Sequence, residues 1–296
     1  MADLEAMVEK YRQSLPADYP GYVGHVRRFV AFCKGDLSRR TIDRFLEHMK
    51  EEGYADGTVD LAFRVLRRFF IVNGLEWPYR RGEGPVVRER EVYAPALDPS
   101  LIAELIAVAT AGKLDAEETG CLALSTVYGL RRTEMAALTP SDLRLDQGLL
   151  FVETAKHGRQ RWHLIPPEIW EPLSNLKERL PLGSPMRITN IWYRIEEKTG
   201  LAEIRQERKA KGETWEIGWH SIRRALDHLL IDAGLPIPTV MDFLRWKRSA
   251  TNMPLRYYSV PFVGRGTTLQ LGLEDRRVDE QVFKVHPFLP MWRKHR

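Results

Sequence analysis

The feature that most constrains this chain is the stretch Arg80-Arg81-Gly82-Glu83-Gly84-Pro85, which runs on into Val86-Val87-Arg88-Glu89-Arg90-Glu91. Two glycines, a proline and alternating charges carry neither helical nor strand periodicity, so no core can be continuous across them. The sequence therefore predicts two bodies: a small domain over 1–80, a linker over 81–97 and a larger domain over 98–296. A chain of 296 residues is comfortable as two domains. With 44% hydrophobic and 29% charged residues, each can hold a packed core, which argues against disorder.

The small domain reads as helical. Residues 2–14 and 20–33 carry a helical period. Ser38 stands where it can cap a helix through Thr41, Phe45, Leu46 and Met49 to a stop at Gly53, and Thr58 where it can cap the next, which stops at Gly74. In that last helix Val59, Ala62, Phe63, Leu66, Phe69 and Phe70 fall on one face, with Arg64, Arg67 and Arg68 on another. The plain reading of this basic stripe is a solvated face; the sharper one is contact with phosphates.

The larger domain opens at Asp98-Pro99-Ser100, a helix start. Helices are expected at 99–111, 115–128 and 132–138. The period then changes. Residues 148–154 and 161–165 alternate and are rich in β-formers, and Ala155-Lys156-His157-Gly158-Arg159-Gln160 between them reads as a hairpin turn with cations. Helices resume at 167–180, 189–199, 219–233 and 236–246. The fold class is thus mainly α with a small antiparallel β-sheet.

Several classes of protein are excluded. Only Cys33 and Cys121 occur, far apart, which rules out a disulfide scaffold or a cysteine-built zinc site and suits a reducing compartment. No apolar run approaches the ~20 residues of a spanning helix. The opening MADLEAMVEKYRQ is polar and acidic, unlike a secretory leader. The expectation is a cytoplasmic protein without a membrane partner. A net charge of +5 permits a polyanionic partner without requiring one.

Four clusters carry chemistry, in this order: Gly129-Leu130-Arg131-Arg132-Thr133-Glu134; the hairpin with Lys156 and Arg159; His220-Ser221-Ile222-Arg223-Arg224; and Leu244-Arg245-Trp246 with Met253-Pro254-Leu255-Arg256-Tyr257-Tyr258. Arg131 at a helix start adds a guanidinium to free N–H groups, a setting for an oxyanion. Glu134, three residues on, is placed to hold that arginine or to be a first-turn acid. His220 and Arg223 are spaced i, i+3 and project from one side of a helix. Each alone has a plainer reading: a surface arginine, a structural histidine, an exposed turn lysine, a core tryptophan. Together they are the groups a phosphodiester transition state needs, because its equatorial oxygens carry extra negative charge that guanidinium, ammonium and N–H donors match. The sequence shows no acidic metal cluster and no cofactor motif, so neither metal nor cofactor is expected.

These clusters, in this order, resemble the tyrosine recombinases of the phage-integrase family, including its Xer-like site-specific recombinases. The resemblance covers nearly the whole chain. It implies an N-terminal helical, SAM-like core-binding domain and an α+β catalytic domain, with a C-terminal tail from about residue 259. It places the family's arginines on Arg131 and Arg223, its hairpin lysine on Lys156, its His-x-x-Arg histidine on His220 and its later His or Trp on Trp246, with Glu134 in support. The nucleophile falls on Tyr257, with Tyr258 as the alternative. Arg64, Arg67, Arg68 and Arg159 are the remaining DNA-binding candidates. Four departures stand out: Trp246 where most members have His, Arg245 where Gly is common, Arg224 where His is common, and an interval from Trp246 to Tyr257 about two residues longer than usual.

What the resemblance implies is a DNA recombinase, such as an integrase of a mobile element, that cleaves and rejoins DNA through a 3′-phosphotyrosine. Double-stranded DNA would be the partner, a homo-tetramer across two sites the active form, and a DNA-bending accessory factor a further partner. The rival readings are a type IB topoisomerase, which shares the chemistry, and a non-catalytic DNA-binding protein on the same scaffold. In the family the segment after the tyrosine often docks on a neighbouring protomer; docking on its own chain is the other option.

Overall fold

A computed structural model describes residues 4–15, 20–80, 82–84, 96–154, 160–210, 217–246 and 273–293. The chain divides into two compact units, Met1–Val92 and Tyr93–Arg296.

Among the described residues, the first unit contains four helices: α1 (Leu4–Gln13), α2 (Pro20–Cys33), α3 (Arg39–Glu51) and α4 (Asp56–Val72). The apolar face read from α4 is buried in full, and Tyr11, Val26, Phe29, Ile42, Phe45 and Met49 close over it. Ser38 caps α3 by accepting from the Thr41 amide. The start of α4 differs from expectation. Its cap is Ala55, and Thr58 lies inside the first turn, where its N–H already donates to the Ala55 carbonyl. After α4, Trp77 and Tyr79 pack edge-on against Phe63.

In the second unit, α5 (Pro99–Thr110) and α6 (Ala116–Tyr128) are followed by α7 (Arg132–Ala137). A sheet of β1 (Leu143–Arg144), β2 (Leu149–Val152) and β3 (Arg161–Leu164) comes next, antiparallel in the order β1-β2-β3, with Leu150 opposite His163. Then come α8 (Trp170–Lys177), α9 (Pro185–Thr199), α10 (Leu201–Ala210), α11 (Trp219–Asp232), α12 (Ile237–Phe243) and α13 (Leu273–Val285). Among the described helices and strands, three went unread in the sequence: β1, α10 and α13. β1 is only two residues long, too short for a period. α10 follows α9 after a single left-handed residue, Gly200, and carries six charged or amide side chains in ten.

Helix α6 is the axis of this unit. It is buried from Gly120 to Tyr128 and packs against α5, α8, α9 and α11. A Cβ on Gly120 would lie 2.6 Å from the Leu176 Cβ, so only glycine lets α6 and α8 approach this closely. Residues after α13 return to α6: His286 Nε2 donates to the Val127 carbonyl at 2.9 Å and Trp292 Nε1 to Thr126 Oγ1 at 3.1 Å. The described part of the tail, residues 273–293, thus packs on its own chain. No helix among the described residues is long and apolar enough to cross a membrane.

Candidate active site

Helix α6 ends at Gly129, whose φ is +58°. A Cβ there would meet Leu244 Cδ2 at 3.0 Å and Arg223 Cγ at 3.3 Å. Glycine is required twice over, by the backbone sign and by the close approach of α11 and the turn after α12. The chain then runs extended into Arg131, which takes the cap position of α7. The Arg131 backbone N–H donates to Glu134 Oε2 at 2.9 Å, and its Nη1 donates to Oε1 at 2.6 Å. Glu134 is buried, whereas the Arg131 side chain is 21% exposed, so a hidden carboxylate anchors a guanidinium that faces outward. Burial works to raise the Glu134 carboxyl, but Arg245, Arg223 and Arg131 outweigh it and hold the group at about 2.

His220 and Arg223 occupy the start of α11. Arg223 is buried and donates to the carbonyls of Gly129, at 2.5 Å, and Leu244. It thereby ties α11 to both the end of α6 and the turn after α12. Burial, with Arg245 and Arg131 nearby, pushes its guanidinium well below the usual arginine range. His220 is exposed. It lines an open cleft with Arg131, Arg132, Thr133, Thr189 and Tyr193. Trp246 is half-buried against the core, two residues past the carbonyl that Arg223 binds.

Of the residues expected from sequence, Arg131, Glu134 and Arg223 therefore converge on one buried seam. Arg131 and His220 open on one cleft, and Trp246 follows Leu244, whose carbonyl Arg223 binds, by two residues. Lys156, Arg159, Tyr257 and Tyr258 lie outside the described residues. In the first unit, Arg64, Arg67 and Arg68 are all exposed on α4. Arg64 pairs with Asp60 at 2.7 Å, and Arg68 donates to the Ser14 carbonyl at 2.7 Å, so both also serve the unit's own structure.

The structure adds a group that sequence reasoning missed. Strand β3 turns Arg161 and His163 inward and leaves Trp162 and Leu164 half-buried, so its inner face is polar. Both inner side chains reach Asp279 of α13: Arg161 Nη2 at 2.7 Å and His163 Nδ1 at 3.2 Å. The Leu164 amide donates to the other oxygen at 2.7 Å. His163 Nε2 lies 2.9 Å from Arg245 Nη1. Cationic or imidazole side chains at alternate positions of a strand are the one signal the sequence offered; Asp279, more than a hundred residues away, gave none.

The chain is similar to known proteins in sequence and in fold. The model of the phage integrase family matches residues 95–261. A tyrosine recombinase XerA of Thermococcus kodakarensis is 25% identical over 238 residues, covering 75% of this chain and 78% of its own. The Tn1549 transposon integrase, solved with transposon right end DNA, is 12% identical with a TM-score of 0.57 over 94% of this chain and 99% of its own. A lambda integrase tetramer bound to a Holliday junction is 17% identical with a TM-score of 0.55 over 90% of this chain and 80% of its own. Both structures are similar in fold.

Proposed function

The chain belongs to the phage integrase family and is a site-specific DNA recombinase; on that premise we propose how it cuts and rejoins a strand. Arg131, His220 and Arg223 hold the scissile phosphate, and Trp246 donates a further hydrogen bond from its indole N–H. Tyr257 attacks phosphorus through its phenol oxygen, and His220 takes the phenol proton. The bond from phosphorus to the 5′-oxygen breaks, and Lys156 supplies that oxygen with its proton. The products are a 3′-phosphotyrosine and a free 5′-hydroxyl. The hydroxyl of a partner strand then reverses the step on the exchanged strand. The covalent link conserves the phosphodiester energy, so no nucleotide is consumed.

The observation that carries this reading is the Arg131–Glu134 pair, capped at the lip of a cleft that His220 shares, with Arg223 bonded to the seam behind it. An unperturbed tyrosine ionises near ~10. Clustered guanidinium groups lower the cost of forming the phenolate and of building charge on phosphorus. In the same reading, residues 1–80 are a core-binding domain, 81–97 a linker that lets the two units clamp duplex DNA, and 98–296 the catalytic domain. Arg64, Arg67, Arg68 and Arg159 contact the DNA backbone. The working form is a tetramer on two DNA sites in the cytoplasm, with a DNA-bending factor where the site requires one.

The deciding experiment uses a nicked suicide substrate. Tyr257→Phe binds DNA but forms no covalent adduct, whereas Tyr258→Phe does. The opposite pattern moves the nucleophile by one residue; adduct in both variants refutes the assignment.

A further inference from the structure

Arg245 occupies a position that a plain structural role would fill differently. It lies in the turn that ends α12, with a left-handed φ of +59° that a glycine would adopt without strain. It is also fully buried, where an apolar side chain would escape the desolvation of a charge. Arginine at this point is explained by what its donors reach. Nη1 donates to His163 Nε2 at 2.9 Å and to the Phe243 carbonyl at 3.1 Å. Nη2 donates to the Tyr128 carbonyl at 3.1 Å and to Glu134 Oε2 at 3.1 Å. One planar group thus joins the end of α6, α7, β3 and its own turn.

The contact with Glu134 matters most. Glu134 Oε2 also receives the Arg131 backbone N–H, and Oε1 receives Arg131 Nη1. The carboxylate is therefore gripped from behind by Arg245 and from the front by Arg131. Two consequences follow. The carboxylate plane is fixed, and with it the direction of the Arg131 guanidinium. The charge is also shared: three guanidinium groups, those of Arg131, Arg223 and Arg245, face one carboxylate. Two positive charges are left over, so Glu134 does not neutralise Arg131. His163 completes the support. Its Nε2 accepts from Arg245, so its Nδ1 carries the proton and donates to Asp279.

We propose that Arg245 is a positioning residue for strand cleavage: acting through Glu134, it aims the Arg131 guanidinium into the cleft and preserves its net charge there. The inference rests on the reading of Arg131 as a phosphate-holding residue. The test measures single-turnover adduct formation on the nicked substrate and DNA affinity, in the full-length protein. Arg245→Gly fits the backbone, and Arg245→Lys keeps the charge but has a single head that cannot reach Glu134, His163 and the Tyr128 carbonyl together. Both are expected to cleave at least about tenfold more slowly with DNA affinity within about threefold of the parent. In an Arg131→Lys background, Arg245→Gly is expected to cost less than about threefold more, because the two act in series. Should Arg245→Gly not fold, Arg245→Lys, alone and in the Arg131→Lys background, carries the same thresholds. A folded Arg245 variant that cleaves within about twofold of the parent overturns the inference, as does full multiplication of the two losses in the double variant. Arg131→Ala is the control: if it cleaves normally, the reading of Arg131 itself fails; if it loses cleavage while Arg245 variants do not, only the role of Arg245 fails.

Discussion

Replacing Glu134 by glutamine isolates the electrostatics of the candidate site. The carboxyl sits at about 2 in the folded chain against an ordinary 4.5, because three guanidinium groups outweigh its burial. A folded value below the unfolded one means that the unfolded chain binds more protons between the two, so stability rises with pH across that window. A depression of this size corresponds to about 3 kcal/mol at neutral pH, fully present above about pH 5.5. It falls to less than half of that at pH 3 and nearly vanishes at pH 2. The glutamine also turns an amide N–H₂ toward a guanidinium, putting donor against donor, so the loss at pH 7 should lie in the range of about 3–5 kcal/mol. Burial also pushes Arg223 and Arg245 downward, and removing their shared anion leaves those charges uncompensated. Urea unfolding of the full-length protein at pH 7 and at pH 3 gives the difference between parent and variant, and groups titrating alike in both cancel. The difference should shrink by about 2 kcal/mol on acidification. A difference that does not change with pH would refute the argument that charge, rather than shape, makes Glu134 matter.

Arg131→Ala should lower single-turnover cleavage by several powers of ten with little change in DNA affinity, since the contact strengthens as charge builds on the phosphate; equal losses in both would assign it to binding instead. Gly129→Ala should destabilise the second unit by about 2–4 kcal/mol, adding left-handed strain to an overpacked contact with Leu244 and Arg223, and a loss of unfolding free energy below about 0.5 kcal/mol, read from urea unfolding, would contradict the close approach. Buried His286 is held neutral, at about 4 against an ordinary 6.5, so its contribution of about 3 kcal/mol is present above pH 6.5 and lost as pH falls toward 4. His286→Gln should flatten the stability profile in that window, as read by thermal melts at pH 4.5 and 7. Burial raises the Cys121 thiol far above its usual range, so labelling by a thiol reagent should follow unfolding rather than precede it.

Much of the fold was legible because its signals are local. The α4 face repeats every three to four residues, and all six apolar positions read from it are buried. The Ser38 cap marks a helix start within four residues of itself. Where the signal was too short or too polar, the reading stopped: β1 spans two residues, and α10 lacks an apolar stripe long enough to distinguish. At the site, residue types and order marked Arg131, Glu134, His220, Arg223 and Trp246. Sequence did not say that Arg223 would spend two donors on the Gly129 and Leu244 carbonyls, nor that His220 would stand exposed on the same turn.

The sequence by itself determined the helical periods, the break near residue 82 and the ordered set of cations, because each depends on neighbours a few residues apart. Only the tertiary structure decided where the buried charges go. Arg245, His163, Arg161 and Asp279 come from β3, the turn after α12 and α13, and they meet because each would be intolerably desolvated alone. That pairing is a property of three-dimensional packing across 82 to 118 residues of separation, and no local pattern encodes it.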